Sequence, residues 1–210
     1  MRSTTICRVI FLGLCGVWIG CAGSLPITHY YTLRHPLEGV GSTAGSMMSA
    51  GLRVGVDTFL VDPPYDQDRL VYRTSQHSSE VGFYAYHRWA SPLGRLIAVA
   101  LAEGLSGTDG IASIEPASFG GKYDAHLGGR VIYLEEIDLP TKQVARLALE
   151  MRLIDSEGNT LWSQTLSSSV SGQAENAAQI MLQMTRAFED VLGQARAGVF
   201  GALEAQTSGR

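Results

Sequence analysis

Apolar and polar residues alternate through much of this 210-residue chain, which predicts a protein built mainly of β-strands. The clearest case is 143–154, where Arg146, Glu150 and Arg152 share one face and apolar residues the other, as in a sheet with one solvated face. A short connection at 139–142 joins it in a long hairpin to a strand over 123–138. The other predicted strands are 27–33, 52–61, 70–74, 82–86 and 161–170, of which 70–74 and 82–86 form a second hairpin.

Two segments instead repeat their apolar residues at helical spacing. The first begins at Ser91, a suitable N-cap, and Pro92, which suits the first helical position, and the glycines between 107 and 110 end it. The second begins near Ala174 and extends for roughly 25 to 30 residues. Its apolar stripe, whose methionines we interpret as core residues, consists of Ala177, Ile180, Met181, Met184, Phe188, Val191, Leu192, Ala195 and Val199.

The beginning of the chain has the pattern of a secretion signal. Arg2 and Arg8 precede an apolar run over 9–19, which is too short to span a bilayer as a stop-transfer helix. We therefore predict a signal peptide over 1–20.

A cysteine at the end of this run predicts lipidation. Gly20, Cys21 and Ala22 place a small residue directly before a thiol, as in a bacterial lipobox, although Trp18 stands where lipoboxes usually have leucine. We expect Cys21 to carry the diacylglyceryl group, in preference to Cys15, to a plain signal peptide or to an N-terminal membrane helix. Alanine rather than aspartate after the cysteine favours the outer membrane of a double-membraned bacterium.

Cysteine usage and charge agree with an anchored, exported domain. Cys7 and Cys15 lie in the predicted signal peptide, so Cys21 is the one cysteine of the mature protein and no internal disulfide can form. Removal of Arg2 and Arg8 changes the formal net charge from −4 to −6. Because the chain has no cluster of basic residues, nucleic acid and electrostatic attachment to anionic lipid are not expected. Membrane contact is expected from the acyl chains.

About 190 residues follow the anchor, enough for one domain with its own core. We divide them into a lipidated N-terminus with the first strand (21–36), a flexible Gly/Ser-rich loop (37–51) and the remainder of a single domain (52–204), which spans 27–204 overall. The loop lacks the Gly-Lys-Ser/Thr sequence of a phosphate-binding loop.

Residues that could support catalysis or metal binding are scattered. The histidines form no pair at metal-ligand spacing on one element: His29, His35, His77, His87 and His126. The serines at 167–171 lack the motifs of serine hydrolases. Glu135, Glu136 and Asp138 are interpreted as a solvated cluster that protects a sheet edge, rather than as paired catalytic carboxylates. We expect no catalytic residue, metal or cofactor.

Several short motifs follow the lipobox in order: Tyr30-Tyr31-x-Leu33, Pro63-Pro64-Tyr65, Leu70-Val71-Tyr72-Arg73 and Tyr86-x-Arg88-Trp89-Ala90-x-Pro92-Leu93. With the two later hairpin strands, the Asp155-x-x-Gly158 turn and the C-terminal helix, this order resembles the ABC-type transport auxiliary lipoprotein family over nearly the whole mature chain. The long segment at 37–51 departs from the family pattern, in which this connection is shorter.

The resemblance implies an α/β fold, a three-layer sandwich with a mixed β-sheet, a central helix and a long C-terminal helix. It also implies a non-enzymatic lipoprotein on the inner leaflet of a Gram-negative outer membrane, facing the periplasm. Its role would be that of an auxiliary component of an ABC/MCE-type system that moves lipids between membranes. The implied partners are an MCE-domain protein and ABC transporter subunits, and self-association stays open. The alternative is an envelope lipoprotein that scaffolds or assembles an outer-membrane or secretion complex without handling lipid.

Within the family-like motifs, Arg88 and Trp89 directly precede the first helix. We favour a structural role, with Trp89 in the core and Arg88 bonded to loop carbonyls. The alternative is that both residues contact a partner protein.

Overall fold

The structure, a computed structural model, describes residues 26–33, 51–76 and 79–208, with side chains through residue 205. The predicted signal peptide, Cys21 and residues 37–50 of the predicted loop lie outside these ranges.

The described chain forms nine strands and two α-helices. The strands are β1 (His29–Tyr31), β2 (Leu52–Val56), β3 (Leu60–Val61), β4 (Arg69–Arg73), β5 (Gly82–Trp89), β6 (Ile111–Pro116), β7 (Ala125–Leu139), β8 (Lys142–Asp155) and β9 (Thr160–Gly172). The helices are α1 (Leu93–Leu105) and α2 (Ala177–Ser208), and a single 3₁₀ turn covers Ala117–Phe119.

The long strand β7 organises the mixed sheet because both of its edges are paired. One edge pairs antiparallel with β8 from Ala125 opposite Asp155 to Leu139 opposite Lys142. The other edge is shared, in order along the strand, by β2, β3 and β4, which all run parallel to β7. Beyond β2 lies β6, beyond β4 lie β5 and then β1, and β9 extends the sheet beyond β8.

The two helices and one face of the sheet enclose the main hydrophobic core. Helix α1 packs near β2, β3 and β6, whereas α2 lies along β8 and β9. The helices touch each other, since a Cβ atom added at Gly104 would lie 2.3 Å from Leu192. Met184 and Val191 of the predicted stripe are fully buried, and each such side chain stabilises the fold by about 1.5–3 kcal/mol.

The opposite face of the sheet carries polar side chains and is covered in part by the segment after β3. Tyr65 of this segment is buried, and its hydroxyl donates a hydrogen bond to Glu135 of β7. The predicted α/β class, mixed sheet, central helix and long C-terminal helix are confirmed.

Three local predictions need correction. The strand predicted over 52–61 is two strands, because Phe59 turns into the core and its N–H donates to the carbonyl of Gly94 at the start of α1. Strand β6 was not predicted, since its two isoleucines are three positions apart and do not alternate. Helix α1 begins at Leu93, with Pro92 rather than Ser91 at the N-cap position and no side-chain cap.

Candidate functional site

The polar face of the sheet contains an open cleft of about 490 Å³ between the β2–β3 turn and strands β7 and β8. Its lining residues are Asp57, Leu60, His126, Gly128, Gly129, Arg130, Glu150, Arg152 and Ile154. Residue 129 must be glycine here, because a Cβ atom would lie 1.9 Å from the carbonyl oxygen of Glu150 on the neighbouring strand. Gly129 is therefore required by the close approach of β7 and β8, and neither it nor Gly128 adds a side chain to the cleft.

Glu150 is the central charge of the cleft. Arg130 donates from Nε to Glu150 at 2.8 Å and from Nη1 to Asp62 at 3.3 Å, and Arg152 donates to the second oxygen of Glu150. The hydrogen bond from Arg130, followed by that from Arg152, lowers the pKa of Glu150. The carboxylate therefore stays ionised and orients both guanidinium groups.

A second polar pair, His126 and Asp57, lines the cleft. His126 Nδ1 lies 3.0 Å from Asp57, and the ring of Tyr123 meets the His126 ring edge-on with centroids 5.5 Å apart. Close by, Arg53 binds Asp124 through two side-chain N–H groups and its backbone N–H, which lowers the pKa of Asp124 to about 2. Hydrogen bonds between polar and charged side chains therefore connect the residues at this side of the cleft.

The side chains that line the cleft limit the chemistry that it can support. None of its lining residues has a hydroxyl or thiol group, and its acids are engaged by arginine or histidine. Across the described ranges, no group of three or more histidines, cysteines or carboxylates is placed to hold a metal ion.

Two of the histidines that are far apart in the sequence are neighbours in the structure. The rings of His29 and His87 stack between β1 and β5 with centroids 5.2 Å apart, and the Tyr31 hydroxyl lies 2.9 Å from His87 Nδ1. Burial, together with His29, lowers the pKa of His87. His35 and His77 lie outside the described residues.

The predicted solvated acidic cluster is wrong for two of its three members. Glu135 and Glu136 are 0% and 2% exposed, on opposite faces of β7, and only Asp138 is exposed. Glu136 accepts a hydrogen bond of 2.6 Å from Tyr84, and burial raises its pKa.

Glu135 is the centre of a buried ion cluster that the sequence reading missed. Its carboxylate accepts hydrogen bonds of 2.7 Å from Tyr65, from Arg73 Nε and from Arg146 Nε. Burial raises the pKa of Tyr65 to about 12, so its hydroxyl remains a donor. The observed register of β7 and β8 sets Glu135 opposite Arg146, so the predicted hairpin was the available signal for this contact.

The two motif residues before α1 have different environments. Trp89 is 4% exposed and belongs to the hydrophobic core, as the structural interpretation expects. Arg88 binds the carboxylate of Asp68 at 2.6 Å rather than loop carbonyls, and 32% of its side chain remains exposed.

Neither described helix is both long and apolar enough to cross a membrane, including the 32-residue α2.

Comparison with solved structures supports the fold. A Xanthomonas campestris protein is similar with a TM-score of 0.64 and 16% identity, covering 77% of this chain and 93% of that one. An uncharacterized protein is similar with a TM-score of 0.61 and 16% identity, covering 83% and 97%. No curated protein matches the chain. The model of the ABC-type transport auxiliary lipoprotein component family matches residues 31–195, from β1 through most of α2. The chain therefore belongs to the family of ABC-type transport auxiliary lipoprotein components.

Proposed function

We propose that this chain is a non-enzymatic lipoprotein subunit of an envelope system in which an ABC transporter and an MCE-domain protein move lipids between membranes. The observation that carries the proposal is the family match over residues 31–195. The engaged charges of the cleft, and its lack of a hydroxyl or thiol nucleophile, support a binding role over catalysis.

In this proposal Cys21 carries the lipid anchor and holds the domain at the inner leaflet of the outer membrane, facing the periplasm. The test is incorporation of labelled palmitate in a Gram-negative host. Cys21→Ala is expected to abolish the label and leave an unprocessed precursor, whereas Cys15→Ala should be labelled normally. Normal labelling of Cys21→Ala would contradict the anchor.

We place the docking site for the transport partner at the polar cleft. Leu60 at its rim is 74% exposed, and the side chains of Arg130 and Arg152 are 47% and 56% exposed. Arginine is enriched at protein interfaces, and the exposed apolar side chain of Leu60 adds apolar surface that a partner would bury. Arg88 is a second candidate for partner contact, while the burial of Trp89 favours a role in the core.

The docking proposal is tested by a photo-cross-linking amino acid at position 60 of the full chain in cells. Phe119, which is 72% exposed on the 3₁₀ turn, provides a matched control position. We expect MCE-domain or ABC subunits to be captured from position 60 and not from position 119. Capture of secretion-complex components instead would favour the scaffold function. If a pull-down of the full chain also recovers no transport subunit, the transport role is refuted.

A further inference from the structure

Exposed apolar and aromatic side chains concentrate at one edge of the sheet. Among the described residues, six large side chains of this kind are exposed, and three of them, Ile27, Tyr30 and Tyr86, lie on or beside β1 and β5. Their exposed fractions are 76%, 66% and 44%. The parallel pairing that sets His29 opposite His87 brings Tyr86 level with the start of β1. The three side chains therefore lie close to the point where the chain enters the sheet.

The charged residues in register with this edge are mainly basic. Arg88 lies opposite Tyr30, and Arg69 of β4 lies opposite Arg88. Asp68 is the one acid among them, and it forms an ion pair of 2.6 Å with Arg88. These charges therefore do not oppose contact with the phosphate groups of lipids.

The lipid anchor proposed at Cys21 determines what this edge meets. Ile27 is six residues after Cys21, and an extended chain advances by at most about 3.6 Å per residue, so the two Cα atoms lie within about 22 Å of each other. Strand β7 alone has 15 residues and is roughly 50 Å long. The tether is thus short relative to the domain, and it holds the β1–β5 edge close to the bilayer surface.

We propose that the β1–β5 edge rests on the bilayer, with Ile27, Tyr30 and Tyr86 among the lipid headgroups. The inference rests on the anchor of the proposed function and adds a second, noncovalent contact with the same membrane. Tyrosine is enriched at membrane interfaces because its ring is apolar and its hydroxyl stays hydrated. Because a short tether gives the edge an effective concentration on the order of millimolar at the surface, even a weak contact is populated.

The test uses the full lipidated chain in phosphatidylcholine vesicles, with an environment-sensitive fluorophore on one introduced cysteine. The lipid blocks the sulfur of Cys21, so only the introduced thiol is labelled. Tyr30→Cys carries the label at the proposed contact, and Phe119→Cys is the matched control, because position 119 is 72% exposed and follows β6 at the opposite end of the strand order. We expect iodide in the water to quench the label at position 30 several-fold less than the label at position 119. A nitroxide attached to the lipid should quench it several-fold more.

A second set of variants tests whether the aromatic side chains make the contact. With the label on Ile27→Cys, the combined change Tyr30→Ser and Tyr86→Ser should raise iodide quenching several-fold in vesicles, whereas Phe119→Ser should leave it unchanged. All four positions are exposed, so the fold should be retained, which circular dichroism checks.

The outcomes separate the contact from the anchor. A chain that takes up no palmitate and does not float with the vesicles contradicts the anchor, and the contact falls with it. A chain that floats with the vesicles while iodide quenches positions 30 and 119 equally overturns the contact alone. Protection of position 30 that requires added MCE-domain or ABC subunits would identify a protein as the occupant and would also overturn the proposal.

Discussion

Glu135 gives the sharpest test of how the polar face is held together. It is fully buried, and it accepts hydrogen bonds from Arg73, Arg146 and Tyr65. Replacement by glutamine keeps the size of the side chain and removes its charge. The guanidinium groups of Arg73 and Arg146 then both lose their contact with a negative charge at position 135.

The expected cost follows from the burial of the partners. Removing one member of a buried ion pair costs about 3–5 kcal/mol because the remaining charge is left uncompensated. The side chains of Arg73 and Arg146 are 15% and 28% exposed, so water offsets part of this cost. We expect Glu135→Gln to lose about 3 kcal/mol, which for a domain of this size lowers the melting temperature by about 6–12 °C.

The assay is urea unfolding followed by circular dichroism. Glu175→Gln, at an exposed position before α2, is the control and should change stability by less than about 0.5 kcal/mol. Replacing the whole cluster by Tyr65→Phe, Arg73→Met, Glu135→Leu and Arg146→Met should recover most of the loss, since neither a charge nor a buried hydroxyl is then left without its partner. A loss below about 1 kcal/mol for Glu135→Gln would refute the reasoning.

Three further predictions concern single contacts. Burial raises the pKa of Glu136 above its unfolded value, so its contribution to stability is present at low pH and is lost as pH rises through the folded pKa. Glu136→Gln should therefore raise the urea midpoint of unfolding at pH 8 and not at pH 4, and equal shifts at both pH values would contradict this. Gly94→Ala should destabilise the domain by about 1–3 kcal/mol in thermal unfolding, because the added Cβ would lie 2.0 Å from the carbonyl oxygen of Phe59. Gly193→Ala in α2 should instead stabilise the domain by about 0.5–1 kcal/mol in the same assay, because a Cβ at position 193 meets no neighbouring atom. Arg88→Gln should lower the stability of the domain by less than about 1 kcal/mol, because the ion pair between Arg88 and Asp68 is exposed. If this variant keeps its stability but captures far less of the partner, Arg88 is a contact residue.

The spacing of apolar residues along the sequence predicted those strands and helices that bury one complete face against the core. The alternation of Leu147 and Leu149 with Arg146 was sufficient for β8, and the apolar stripe containing Met184 was sufficient for α2, because these patterns reflect contact with a single core. Strand β6 has no such pattern, since an edge strand can fold with little burial of its own.

The polar sites were harder to predict because they depend on distant residues. Arg73 and Glu135 are 62 positions apart and meet only when β4 pairs with β7. Sequence alone made Glu135 look like a surface acid, as most glutamates are. The cleft likewise combines the β2–β3 turn with two later strands, so its residues share no local motif.

The shared edge of β7 also constrains the order in which the chain can fold. Strands β2, β3 and β4 precede their common partner by dozens of residues, and β7 begins only at Ala125. A chain that emerges from its N-terminus can form the β4–β5 hairpin early, with β1 beside β5, but β2 and β3 have no partner strand until the second half arrives. The protein therefore completes its sheet late, and strands of its first half keep unpaired edges until β7 has been made.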